Sequence, residues 1–328
     1  MTNRLAVLLA ALALLAAVVA GCVLVRDAKI PKEWEPLLEE IRVFERRIGF
    51  EDPEAFIEFS EEDGGYPFCG RVSRLYLPYS YEDPEIRWLD VESEQECRAV
   101  AEGTDVYFGT VEALGEVGAA VTSEMLGVPL HRFIYLVIHE DCHEQFAFPY
   151  GIEEALCNLI AYKGMAAFSA EKYGLLSREN IAIQRYASVE TGRTRTVKGL
   201  YEDLAGHYAR YEKKEISPDA LLKERARILS RAERALRWKR GSLNNVGMAN
   251  EMTYSRHYPL FESVYDAHDR DLARTMAFFK RVDALKPPPR EVMKKHRITT
   301  DQGLSFVRAY EAEIVETVEK ALAEAARR

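Results

Sequence analysis

YLVIHEDCHEQF, residues 135–146, places two histidines four apart with a glutamate directly after the first. On an α-helix, residues i and i+4 lie one above the other on the same face. The imidazoles of His139 and His143 could therefore grip one metal ion. Glu140 would sit about a quarter-turn round, within reach of a water on that ion. The flanks predict the helix: Phe133, Ile134, Leu136, Val137 and Ile138 enter the motif as an apolar run, and neither Pro nor Gly follows until Pro149. Such a helix is buried at one end and opens into a polar cleft. The same spacing also arises by chance, so a third ligand and its supports have to be found elsewhere in the chain.

They are offered by PYGIEEALCNLIAYKG, residues 149–164. Pro149-Tyr150-Gly151 predicts a break, because Pro cannot donate an i→i−4 bond and Gly suits a left-handed cap. A second helix is expected from near Ile152, with Ile152, Ala155, Leu156, Leu159 and Ile160 as its apolar stripe. Glu154 and Asn158 fall four apart on one side of that stripe. Catalytic zinc commonly takes three protein ligands and leaves a position open for water, and two histidines with a glutamate form one known set. A ligating histidine also needs an acceptor for its other ring N–H. Glu154 is expected as the third ligand and Asn158 as that acceptor. Glu153 competes for the ligand role but points roughly 100° away round the helix. The alternative layout HExxHxxGxxH is excluded, since Phe146 and Pro149 stand where it needs Gly and His.

The chain opens MTNRLAVLLAALALLAAVVAGC. Arg4 is a short positive region and Leu5 to Ala20 an uninterrupted apolar run, shorter than the roughly 20 residues a spanning helix needs. This reads as a secretory signal. Val19-Ala20-Gly21-Cys22 resembles the lipobox of bacterial lipoproteins. The resemblance implies cleavage before Cys22 and a lipid on its thiol, hence an exported, membrane-tethered protein of the cell envelope. In a host with an outer membrane it implies sorting there. An uncleaved N-terminal anchor is the other reading.

Without residues 1–21 the balance is 43 basic against 53 acidic residues, since only Arg4 is lost. An acidic chain without a basic stripe is a poor nucleic-acid binder. Four cysteines remain after Cys22. In an oxidising compartment Cys69 and Cys97 are expected to pair, although sequence alone does not fix pairing. Cys142 and Cys157 fall on the two site helices.

Elsewhere, a helix is predicted from Trp34 to about Gly49. The aromatic-rich stretch 66–92 has strand-like pieces around RVSRLYL, residues 71–77. TDVYFGTV, residues 104–111, is a second strand candidate. Ser217-Pro218-Asp219 starts a helix by N-cap and first-turn Pro, continuing to Gly241. Lys286-Pro287-Pro288-Pro289 is a break, and residues 302–327 form a closing helix. The expected class is mainly α with a small β-containing N-terminal part, α+β overall.

SLNNVGMANEMTYSRHYPLFESVY, residues 242–265, adds a resemblance. Asn244-Asn245 followed by Thr253-Tyr254, after the HExxH helix and the Glu154 helix in that order, resembles the putative aminopeptidase family of bacterial zinc hydrolases. The resemblance covers roughly residues 65–285. It departs at Glu153, where the family has Asn, and in a slightly shorter loop between the two site helices. It implies a gluzincin-like metalloprotease domain with one zinc per chain on His139, His143 and Glu154, acting on peptides. Combined with the motif, it makes Glu140 the general base, with Tyr254 first and His257 second as candidates to stabilise the oxyanion. The domain division is then 1–21 signal, 22–34 tether, 35–285 metallopeptidase domain and 286–328 helical extension. Two other classes fit the same residues: a metal- or partner-binding envelope lipoprotein without turnover, and a zinc amidase acting on cell-wall material.

Overall fold

The computed structural model describes residues 30–60, 66–111, 113 and 119–325. The expected signal and the expected lipidation site at Cys22 lie outside the described residues. The protein is mostly helical, with a small sheet part toward the N-terminus. Helix α1 (Glu35–Ile48) buries Leu38, Ile41, Phe44 and Ile48 at three- and four-residue spacing, and Gly49 at φ 100° closes it. A left-handed residue is where glycine costs least.

Strand β1 (Phe59–Ser60) pairs in parallel with β5 (Val121–Thr122). Strand β2 (Tyr66–Ser73) runs antiparallel between β3 (Arg87–Leu89) and β4 (Thr104–Val111), with Gly70 opposite Tyr107. The ladder stops at Ser73 because its partner, Thr104, is the first residue of β4. The rest of RVSRLYL therefore leaves the sheet, and Leu75 and Leu77 pack on a helical core instead. A disulfide joins Cys69 on β2 to Cys97 on the short helix α2 (Glu94–Ala99).

After α3 (Ser123–Gly127) come the two site helices, α4 (Leu130–His143) and α5 (Tyr150–Tyr173). Next are the long α6 (Arg178–Glu212), α7 (Pro218–Leu236), α8 (Asn245–Ser255) and α9 (Tyr258–Ala267). The chain ends in α10 (Leu272–Leu285), α11 (Pro289–His296) and α12 (Leu304–Ala325). The main core gathers α1, α4, α5 and α9 to α12, so Val292, Ile314 and Val318 of the last two helices share it. Burying each such side chain contributes about 1.5–3 kcal/mol. A second core forms between α6, α7 and α8. No helix among the described residues is long and apolar enough to cross a membrane.

Two boundaries differ from expectation. Pro149 is the N-cap of α5, so Tyr150 and Gly151 belong to its first turn rather than to a break. Pro is tolerated there because a helix start needs no N–H from it. Gly151 is not a left-handed cap; a Cβ at that position would collide with the Glu311 carboxylate. Helix α7 stops at Leu236, short of Gly241, because Arg237 turns left-handed at φ 58°.

Candidate metal centre

The apolar run Phe133–Ile138 buries α4 on every side, carrying His139 and Glu140 into a desolvated pocket. His139 Nε2 lies 3.1 Å from Glu154 Oε2. His143 Nε2 lies 3.4 Å from His139 Nε2 and 3.6 Å from Glu154 Oε2. Donors round a tetrahedral ion with bonds of about 2.0–2.1 Å stand about 3.3–3.4 Å apart, so this triangle has the size such an ion needs. The buried cluster His139, His143 and Glu154 can hold a metal ion.

The far nitrogen of each ring is engaged. His139 Nδ1 stands 3.3 Å from the Tyr135 hydroxyl, which donates to Asn158 Oδ1 at 2.6 Å. With the hydroxyl hydrogen committed to Asn158, the His139 Nδ1–H donates to the Tyr135 oxygen, leaving the Nε2 lone pair for a metal. Asn158 thus reaches His139 through Tyr135. His143 Nδ1–H donates to Glu153 Oε1 at 2.9 Å, and Glu153 Oε2 accepts the Phe148 N–H at 3.0 Å. Glu153 and Glu154, neighbours in sequence, thereby serve opposite sides of the same histidine.

The field at the centre favours positive charge. Burial opposes ionisation of His143, but hydrogen bonds to Glu153 and Glu154, reinforced by Glu140, push it up to about 11. Burial would raise the Glu154 carboxyl, yet the two histidines outweigh it and hold it below the usual carboxylate range. Burial pushes His139 down. A cation on the three donors would take the place of the imidazolium charge in this field.

The centre opens into a cavity of about 510 Å³ whose walls include Glu140, Tyr254, Tyr150, Gly109 of β4, and Arg193 with Glu251. The Tyr254 ring centre is 6.4 Å from that of His139. Burial, then the charge of Glu154, raises the Tyr254 phenol well above its ordinary value, so it stays a hydroxyl donor at neutral pH. Burial, then the charge of Glu154, also raises the phenol of Tyr150 on the same wall.

The asparagine pair explains how Tyr254 is placed. Asn244 caps α8 by accepting the Gly247 N–H and donates to Val106 O of β4. The Asn245 N–H donates to Asp105 Oδ2 at 3.0 Å, and its side chain donates to Tyr76 O at 2.8 Å. Thr253 Oγ1 accepts the Tyr81 N–H. Helix α8 is thus moored at its start to β4 and near its end to the loop after β2, with the Tyr254 ring near His139.

His257 goes elsewhere. Because α8 ends at Ser255, residue 257 does not continue the Tyr254 face. Its Nε2 lies 2.8 Å from Glu311 Oε2 of α12, which also accepts the Tyr79 hydroxyl. Sequence reasoning missed Tyr135, Tyr150 and Glu311. Tyr135 could have been read from its i−4 position before His139; Glu311 comes from a helix with no sequence link to the site.

His139, His143 and Glu154, a cluster that could hold a metal ion, thus stand beside Glu140 and a cavity of about 510 Å³. The family model described as Putative aminopeptidase matches residues 89–296, more than half of the chain. The chain belongs to that family. No curated protein and no solved structure matches it.

Proposed function

We propose that the chain is a zinc-dependent peptidase, an aminopeptidase of gluzincin-like fold, exported and tethered to a membrane by lipid on Cys22. The observation that carries the reading is the convergence of His139 Nε2, His143 Nε2 and Glu154 Oε2 within 3.1–3.6 Å, beside the cavity that His139 and Glu140 line. Zinc, when bound, polarises the scissile carbonyl and makes water a nucleophile near neutral pH. Tyr135 and Glu153 hold the two imidazoles in the tautomers that direct Nε2 inward. Glu140 takes the proton of the attacking water and passes it to the leaving amine. The Tyr254 hydroxyl donates to the oxygen on which charge develops.

The test is metal content of the purified full chain together with hydrolysis of a peptide library with free and acetylated N-termini. The expected result is one zinc per chain and chelator-sensitive cleavage restricted to free N-termini. Cleavage of both sets alike would make it an endopeptidase. Metal binding without any hydrolysis would leave a binding protein and end the peptidase reading.

A further inference from the structure

The turn between α5 and α6 is apolar and open. Leu175 is 73% exposed and Leu176 91% exposed, and Ile181, on the first turn of α6, is 55% exposed. We propose that this turn lies in the surface of the lipid bilayer to which the chain is tethered, standing the helical body upright on it. The proposal rests on the lipid-tether reading of Cys22 and adds to it an orientation.

The packing of α1 on α4, and of α4 on α5, tells which end of the body carries the turn. The Phe44 ring centre is 5.8 Å from that of Phe168, and Glu40 pairs with Lys172. Arg47 pairs with Glu171 as well, so these contacts mark a crossing near the end of α5 and the direction is read through α4. Trp34 meets Phe133 and Glu45 lies beside Asp141, so α1 runs with α4; Tyr135 stacks on Tyr162 while His139 meets Glu154, so α4 runs against α5. The start of α1 and the turn that follows Tyr173 therefore share one end. Trp34, just ahead of α1, has its ring centre 4.5 Å from that of Phe133 in the first turn of α4, at that same end.

The chain enters this end at Ile30. Eight residues separate Ile30 from Cys22 and can span at most about 26–29 Å. A lipid on Cys22 would hold the turn's end of the body within that distance of the bilayer. Half-buried Tyr173 adjoins the turn, with the Lys172 ammonium 5.4 Å from its ring centre, and half-buried Trp34 stands at the start of α1. Amphipathic rings and lysine side chains of this kind suit the boundary between headgroups and acyl chains. Glu154 and Tyr173 stand nineteen residues apart on one helix, so the metal centre would sit about 28 Å up the helix axis from the seated end. Substrate would then be met in the aqueous space rather than at the lipid surface.

The test uses the full lipidated chain in phosphatidylethanolamine–phosphatidylglycerol vesicles, with and without lipids carrying a nitroxide quencher. An environment-sensitive thiol probe is placed by Leu176→Cys in one sample and by Glu51→Cys in another. Glu51 has an 89% exposed side chain beyond the opposite end of α1. Cys69 and Cys97 are joined and Cys142 and Cys157 are buried, so the introduced thiol takes the label. The expected result is a blue shift and loss of most emission to the quencher at 176, with little of either at 51. Equal quenching at both positions, or none at 176 while the chain floats with the vesicles, overturns the orientation. A blue shift at 176 that persists in detergent means protein covers the turn, and overturns it as well. If the chain fails to float and its mass shows no lipid, the tether reading itself has failed, and the orientation falls with it.

Discussion

Glu153 Oε1 lies 2.9 Å from His143 Nδ1, so the residue just before Glu154 holds the second histidine from behind. Two adjacent carboxylates divide the work because successive helical residues point about 100° apart. Glu154 faces the centre and Glu153 passes behind the imidazole.

That division predicts different losses from two neighbouring changes. Glu153→Ala should weaken metal affinity about 10–100-fold by freeing the ring. Glu154→Ala removes a donor and should lower occupancy far more. Chelator competition on both variants measures the difference. Equal affinities would mean that the two carboxylates are interchangeable.

Tyr135→Phe should act like Asn158→Ala, because both break the relay from His139 Nδ1. Each is expected to cost about 10–100-fold in metal affinity, and the double variant should cost little more than either alone. Additive losses would separate the two residues.

Much of the site was legible before the structure. The i,i+4 histidines, Glu154 and Asn158 come from two helices joined by a short loop, so local periodicity sufficed to place them. Strand 104–111 was legible from its β-branched and aromatic residues. Gly151 misled because its role is set by Glu311, 160 residues further along the chain, which no local pattern encodes. His257 misled for the same kind of reason: a helix end at Ser255 and a distant carboxylate decide where it points.

The Cys69–Cys97 bridge ties β2 to α2 across a sequence separation of 28. Closing a loop of that length stabilises by about 3–4 kcal/mol in the chain-entropy account. Cys69→Ser with Cys97→Ser should lower the denaturant midpoint accordingly. A midpoint unchanged by reduction of the wild type would contradict it.

Behind α4, the carboxyls of Glu45 and Asp141 are buried close to each other, and no oxygen of either has a hydrogen-bond partner among the described residues. Burial pushes Asp141 up to about 8 and raises Glu45 well above its ordinary value. Between about pH 4 and 8 the folded chain therefore holds a proton that the unfolded chain has released. Stability is full below this window and falls as pH rises through it, by up to about 1.4 kcal/mol per pH unit for one such group. Asp141→Asn should flatten the dependence. Melting temperatures at pH 5 and pH 8 check this, and an equal drop in both proteins would reject the proton held on Asp141.

Catalysis and metal binding separate at Glu140, Tyr254 and His257. Glu140→Gln keeps shape and hydrogen bonding but cannot take a proton, so metal should stay while turnover falls by about 10²–10⁴. Tyr254→Phe should leave metal in place and lower kcat by about 10²–10³ with KM little changed, because its hydroxyl would meet charge that develops only in the transition state. His257→Gln removes the partner of Glu311 outside the cavity, so its effect should appear in thermal stability and hardly in kcat. The three variants are compared for zinc content, kcat and KM on one chelator-sensitive peptide. Near-normal kcat in Glu140→Gln would overturn the proposed proton transfer. Normal kcat in Tyr254→Phe together with a large loss in His257→Gln would move the oxyanion donor to a reoriented His257, and normal kcat in both would leave Tyr150, another tyrosine of the cavity wall, to be tested.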